Sequence, residues 1–531
     1  MTRRRSIQLT VAASLAAGFM PWSTRAARVG RGREFEVCLS PETVLQEVEF
    51  RAALRQAGVS RVWLAGFFYG HWPSPVKSLV RAREALAQAG LEAEVVNVPL
   101  GHPGDSLGAR DGNFPLTPPR HWRLGVGLDG REHAGTSLHA PATEENRAAL
   151  RELRRAGFSR FFLDDDFRLA RGPGEIGGCF CSEHRTRFLR RTGFPEARWP
   201  ELRDDARARR PTRLLREWLE FTCDELTASF RAQNRAAGGG LGIMVMYLGA
   251  EKAGIRLRDY RAVPLRVGEL MFNDSAFSPL KGKTDELFSV LFHRRFVAPE
   301  LAYSETTAFP ADRLSARHLA AKLVISTLAD VRHTVFMSGV TPFPKAHWTT
   351  LAPAMRRQAD FHARLAGHRP RGPFKHYWGE ASRLVGDDRP FSLFLATGIP
   401  FEVADELPHD GWTFLSDADA RSAAGGRLAA TATRWVCRPQ PQAPPAGAET
   451  CEESLEALWA LKRRLLPRLR KTPWVETAEP AVLAWYPSAR AALLWNPHDA
   501  RKTFAVRCGA QVREVTVQGL DAALIQDLRE K

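Results

Sequence analysis

The sequence predicts an α/β protein whose main domain is a (β/α)₈ TIM barrel, followed by a small α/β domain and a small C-terminal β domain. Three observations carry that expectation. From residue 35 to about 340, short apolar runs alternate with amphipathic helical stretches. There are eight such runs, each short and rich in apolar or β-branched residues, as strands buried on both faces should be. No Gly-rich phosphate loop follows the first run, which disfavours a doubly wound open sheet.

In order, the runs are Phe35–Leu39, Arg61–Phe67, Glu92–Val98, Arg160–Asp165, Leu241–Tyr247, Glu269–Asn273, Leu301–Glu305 and Thr334–Met337. Helical spacing lies between them, as in Pro75–Ala89, Thr143–Ala156 and Leu314–Leu328. Alternation of this kind closes into a barrel, here over residues 35–345. A second region, 374–470, has strand-like Ser392–Thr397 and Trp412–Leu415, a Pro-rich interruption at Arg438–Gly447 and a basic amphipathic helix at Leu455–Leu469. From 473 to 531 the pattern is β-rich: Ala481–Tyr486, Ala491–Trp495, Thr503–Arg507 and Val512–Val517.

The N-terminus reads as a targeting segment. Arg3, Arg4 and Arg5 precede Ser6, Ile7 and Gln8; an apolar stretch runs from Leu9 to Phe19; small Thr24 and Ala26 then suit a cleavage site. That is the layout of a twin-arginine export signal over residues 1–26, which implies a periplasmic or secreted protein. Beyond it no run is long enough to span a bilayer. At 531 residues the chain exceeds one ordinary core. Its formal charge of +17 is largely arginine spread along the chain. Spread charge is the mark of solvated faces; an acidic partner, nucleic acid or anionic polysaccharide, is the sharper alternative. The absence of a nucleic-acid motif, or of a basic stripe interleaved with aromatics, sets nucleic acid aside. Seven cysteines, an odd count, argue against a fully paired framework, although Cys437 and Cys451 flank the Pro-rich loop and could pair in an oxidising compartment.

Barrels of this type carry chemistry at the C-terminal ends of their strands. Strand four ends in Leu163-Asp164-Asp165-Asp166, strand five at Tyr247, strand six at Asn273-Asp274 and strand seven in Ser304-Glu305-Thr306. Adjacent carboxylates raise one another's pKa, so the triplet can keep a protonated member to serve as general acid. Glu305, across the mouth, could serve as nucleophile or base. The bland alternative is an acidic loop that is solvated or bound by a metal or an arginine. Phe67, Phe68, Tyr69, His71 and Trp72 follow strand two, where Trp72 could stack on a sugar or simply pack the loop. His102 and Arg168 could serve substrate or neutralise acids. Further along, Cys179-Phe180-Cys181-Ser182-Glu183-His184 supplies three ligands within six residues, as tetrahedral zinc needs, with His139 as a fourth. The alternative there is a pair of buried thiols and an unrelated histidine.

These segments together resemble the family 42 β-galactosidases. That family carries an Ile-Asp-Asn-Glu run after strand four, then a Cys-x-Cys-x-x-Cys cluster, then a Phe in an amphipathic helix. Here the counterparts are Leu163-Asp164-Asp165-Asp166, then Cys179, Cys181 and His184, then Phe188. The family's upstream zinc-binding Cys, followed by Pro, matches His139 in Leu138-His139-Ala140-Pro141. The resemblance implies a structural zinc held by His139, Cys179, Cys181 and His184. It implies Asp166 as the acid/base, Asp165 at the substrate-binding Asn position, and Glu305, followed by Pro310 and Arg313, as nucleophile. Asp164, Asp165, Tyr247, Asn273 and Trp72 are then the expected substrate contacts, and an oligo- or polysaccharide the expected substrate. Two departures bear on chemistry: Asp166 is one methylene shorter than Glu, roughly 1.5 Å of reach, and Asp165 replaces an amide with a charge. The family often forms trimers, but the second domain that carries those contacts is shortened, so a homo-oligomer is an open expectation. A non-catalytic sugar-binding protein of the same fold is the alternative, and a metal-dependent hydrolase using the aspartate triplet a third.

Overall fold

A computed structural model of the chain describes residues 32–100, 110–111, 114–115, 118–133, 138–164, 167–170, 174–246, 248–268, 271–423, 433–440, 444–469 and 472–528. The export-signal residues 1–26 lie outside them, as do His102, Asp165, Asp166 and Tyr247.

Eight parallel strands close into a barrel: β1 (Glu34–Leu39), β2 (Arg61–Phe68), β3 (Glu92–Val98), β4 (Phe161–Leu163), β5 (Leu241–Val245), β6 (Leu265–Gly268), β7 (Ala302–Thr307) and β8 (His333–Met337). Each pairs with its sequence neighbours, and β1 closes on β8. The strands are buried along nearly their whole length, which is why apolar residues are not confined to alternate positions; the polar side chains they carry, as in β7, are buried as well. Helices α1 (Val48–Ala57), α2 (Val76–Gln88), α3 (Ala142–Arg155), α4 (Ser182–Thr192), α5 (Arg213–Ala236), α6 (Leu280–His293), α7 (Ala316–Leu328) and α8 (His347–Leu365) complete this region. Among the described residues, 3₁₀ turns at Glu251–Ala253 and Leu257–Tyr260 take the place of a helix between β5 and β6.

The sixth strand differs from the expectation. It is Leu265–Gly268, not Glu269–Asn273. Arg266, in its centre, makes the run look polar in sequence, whereas the more apolar Leu270-Met271-Phe272 beyond it looks like a strand. Arg266 is tolerated there because two carboxylates from other strands meet it inside the barrel.

At the opposite end of the barrel a second charged layer is buried. Glu36 accepts from Arg61 at 2.5 Å, His333 Nδ1 lies 3.2 Å away, and the Trp63 indole N–H completes the set. His333 stacks on Tyr303 with centroids 4.1 Å apart. Glu34, Glu36 and His333 come close enough to hold an ion. Arg61 already pairs with both of those glutamates, so the layer is an internally balanced structural network.

The second region is a parallel five-stranded sheet, β9 (Phe374–Tyr377), β10 (Phe401–Ala404), β11 (Trp412–Leu415), β12 (Arg434–Cys437) and β13 (Glu449–Thr450), in the order β10-β9-β11-β12-β13. The predicted strand Ser392–Thr397 is instead a buried 3₁₀ turn, Ser392–Ala396. A short run that is apolar on every side reads the same for a buried strand and a buried helical turn. Cys437 and Cys451 do not pair, and none of the seven cysteines forms a disulfide. Cys437 stands opposite Thr450 in the β12–β13 register, so Cys451 points to the other face. The two thiols pack into different apolar clusters.

The chain ends in two antiparallel three-stranded sheets. One pairs Trp474–Val475, Lys502–Cys508 and Gln511–Val517, and the other Val482–Tyr486, Ala491–Trp495 and Ala522–Ile525. They match the predicted β-rich tail. No helix among the described residues is long and apolar enough to cross a membrane.

Candidate active site and metal centre

β4 ends at Leu163, and the next backbone N–H, that of Asp164, donates to Asn97 O at 2.7 Å. This bond turns the Asp164 side chain into the barrel rather than to solvent. β7 brings Glu305 in from the other side, in register with Gly268 of β6 and Val335 of β8. Between them lies Arg266, fully buried, which binds Asp164 through one terminal nitrogen and faces Glu305 Oε2 from Nε at 3.1 Å. Thr307 Oγ1 donates to Glu305 Oε1 at 2.6 Å.

Glu305 is only 3 % exposed. Burial is the main cause that pushes its carboxyl up to about 7; the nearby Asp164 charge adds to this, while Arg266 and the Thr307 hydrogen bond work against it. The consequence for stability follows from linkage. The folded chain holds this proton to about 7, whereas an unfolded glutamate releases it near 4.5. Between those values the folded state binds more protons, so this group's contribution to stability falls as pH rises from about 4.5 to 7. Urea unfolding across that range should show the fall in the wild type, and Glu305→Gln should abolish that component of the slope.

Of the other expected substrate contacts, Asp164 is tied to Arg266 rather than open to a ligand. Asn273 does not end a strand: its side chain caps the short helix Asp274–Phe277 by accepting from Ala276 N at 2.9 Å. Trp72 is half-buried against Phe67, with ring centroids 5.2 Å apart. Arg168 is buried and donates to Ala170 O at 3.2 Å. Asp165, Asp166 and Tyr247 are outside the described residues. Two residues escaped the sequence reading. Arg266 was lost with the misplaced sixth strand; a lone charge between Leu265 and Val267 was its only trace. Phe309, four residues past Glu305, is 60 % exposed, unusual for a ring of its size.

The cysteine–histidine cluster assembles as expected. His139, Cys179, Cys181 and His184 are all buried, and their ligand atoms lie within 4.8 Å of one another. Cys181 Sγ is 3.2 Å from His184 Nδ1 and 3.6 Å from His139 Nε2, and Cys179 Sγ is 3.8 Å from His139 Nε2. Four donors around a tetrahedral ion at bond lengths of about 2.0–2.3 Å stand roughly 3.3–3.8 Å apart, so the set fits one. Backbone N–H groups of Val126 and His184 point at the two sulfurs, 3.4 and 3.5 Å away. On the outer side, His139 Nδ1 faces Glu183 Oε2 at 3.5 Å, and Arg123 binds that carboxylate at 2.6 Å. A carboxylate behind a ligating imidazole fixes its tautomer and raises its basicity. Hydrogen-bond contacts with Cys179, His139 and His184 hold the Cys181 thiol well below the usual range.

Local sequence explains the loop. Cys181 is extended and caps α4, its sulfur accepting from His184 N. Gly178 has φ +108°, and a Cβ there would meet the Trp218 ring at 2.6 Å. At Gly177 a Cβ would meet the Leu169 carbonyl oxygen at 2.1 Å. Gly178→Ala is expected to cost about 2–4 kcal/mol by strain and overpacking, read as a fall in unfolding midpoint. Around the loop, Phe180, Phe188, Trp199 and Trp218 form a satellite core separate from the barrel.

No protein-family profile matches the chain, and no curated protein does. Among solved structures it is similar to α-L-fucosidase isoenzyme 2 from Paenibacillus thiaminolyticus, at 10 % identity over 93 % of this chain and 98 % of that one, with a TM-score of 0.52. It is also similar to the exo-β-1,4-mannosidase Op5Man5 from Opitutaceae bacterium strain TAV5, at 11 % identity over 91 % of each chain, with a TM-score of 0.43. At these identities the first likeness is one of fold.

Proposed function

We propose that this chain is an exported O-glycoside hydrolase acting on an oligo- or polysaccharide, with a structural zinc beside the barrel mouth. The observation that supports it most is Glu305: a buried carboxylic acid at the C-terminal end of β7, poised near neutral pH, in a barrel whose fold is shared with a fucosidase. Groups tuned to the operating pH inside a barrel mouth are the mark of acid–base or nucleophilic work.

In this reading Glu305 is the nucleophile and Asp166 the acid/base. The Glu305 carboxylate attacks the anomeric carbon while the Asp166 proton passes to the leaving oxygen. A water then breaks the glycosyl ester, giving its proton back to Asp166. Arg266 and Asp164 position Glu305, and the open Phe309 ring offers a sugar an apolar face. His139, Cys179, Cys181 and His184 would hold the zinc, which ties the loop after β4 to the start of α3 and takes no part in bond cleavage. The arginine-led N-terminus supports the reading that this activity lies outside the cytoplasm.

A panel of aryl glycosides tests the reading. Release of the aryl alcohol from at least one sugar, above a heat-denatured blank, is the expected result. The contact between Arg266 and Glu305 favours a second reading, a sugar-binding protein without turnover. It predicts a sugar-dependent rise in melting temperature with no product.

A further inference from the structure

The face of the barrel opposite the mouth carries a cleft that the proposed chemistry leaves unused. Its volume is about 530 Å³, and five arginines line it against two carboxylates, Glu300 and Asp330. Topology brings them together. Arg261 precedes β6, Arg294 and Arg295 follow α6, Arg332 precedes β8, and Arg369 lies beyond α8. All are at or near connections that run from helix to strand, hence at the N-terminal ends of the strands.

Structure accounts for part of this charge. Asp330 is shared by Arg294, Arg332 and His362, at 3.2, 3.4 and 2.8 Å, and Glu300 pairs with Arg332 at 2.8 Å. Arg295 reaches Asp405 at 3.2 Å, yet its side chain stays 44 % exposed. Arg261 and Arg369 are different. Both are exposed, both border the cleft, and among the described residues neither has a hydrogen-bond or ion-pair partner. Two free guanidinium groups facing one cleft repel each other and do nothing for the fold; what they offer is a pair of planar forks for anionic oxygens.

We propose that this cleft binds a sulfated or carboxylated polysaccharide, anchoring the chain on an anionic glycan away from the site of cleavage. The volume suits a few sugar units. Single-stranded nucleic acid is the less fitting anion, because its binding leans on open aromatic faces. The phenyl rings in this cleft and its neighbour, Phe296 and Phe401, are 3 % and 1 % exposed, and the His368 imidazole that lines both is hydrogen-bonded to Ser488 at 2.9 Å. The choice of a glycan rests on the hydrolase reading, whereas the anion site rests on the arginines alone.

Calorimetric titration of the full chain with a dextran sulfate oligosaccharide tests it without reference to turnover. Neutral dextran, inorganic sulfate and single-stranded DNA form the comparison arms. Binding of the sulfated glycan is expected to weaken by at least about tenfold in Arg261→Glu/Arg369→Glu and to fade with added salt. The same charge change at exposed, distant Arg81 and Arg501 is expected to weaken it less than about twofold. Equal loss in both double variants would reduce the effect to net charge and overturn the site. No binding of dextran sulfate, or equal binding of neutral dextran, would overturn it as well. Tighter binding of DNA or of inorganic sulfate than of the sulfated glycan would overturn the assignment to a polysaccharide.

Discussion

Glu305→Gln is expected to lower hydrolysis by about 10²–10⁴-fold with little change in folding. Glutamine keeps the shape of the side chain and can still accept from Thr307, but it can neither attack an anomeric carbon nor carry a proton. Arg266 would keep its stronger partner, Asp164. Removing an acid held protonated by burial should also make the variant slightly more stable than the wild type at neutral pH. Activity and stability are therefore expected to move in opposite directions, as they do when a carboxylate is buried for chemistry rather than for packing. In the wild type, kcat/KM should rise with pH through about 7 as Glu305 loses its proton, over the upper part of the interval where stability falls. Unchanged turnover in Glu305→Gln would remove this residue from the mechanism.

Loss of the proposed zinc is expected to destabilise the fold. A site that binds only the folded chain adds about 4 kcal/mol when free metal is near 1,000 times its Kd. The satellite core of Phe180, Phe188, Trp199 and Trp218 is small and irregular, the kind of core that depends on a staple. Cys181→Ser, or a strong chelator, should release about one equivalent of zinc and lower the unfolding midpoint, with the region around α4 opening first in hydrogen exchange. A chain that contains no zinc as purified, takes none up, and melts unchanged after Cys181→Ser would dismiss the zinc. If chelation stops turnover while the fold is intact, the ion belongs to the reaction and the aspartate triplet becomes its binding site.

The cysteine–histidine cluster was legible because its spacing is local: three candidate ligands fall within one loop and helix start, and only His139 had to be supplied from another segment. The carboxylate site was legible in part. Glu305 ends a short run that reads as a buried strand by its place in the alternation, and β7 carries it inward. Asp164, expected at the substrate, pairs instead with Arg266, the arginine-bound alternative, and the identity of that partner was hidden. A strand with an arginine at its centre looks like no strand at all until the residues facing that arginine are known.

Local periodicity was enough to reveal seven of the eight barrel strands, most of the helices between them and the candidate donor set of the cysteine–histidine loop. Those features depend on residues close together along the chain, where side-chain direction follows from the backbone repeat. Where charge could be buried was set by contacts between distant segments. Arg266 lies within β6 because Asp164 and Glu305 arrive from β4 and β7 to neutralise it, and Arg261 meets Arg369 across a cleft because barrel closure brings distant turns to one face. Pairings of that kind join residues about 40 to 110 positions apart, and no local pattern encodes a partner at such range.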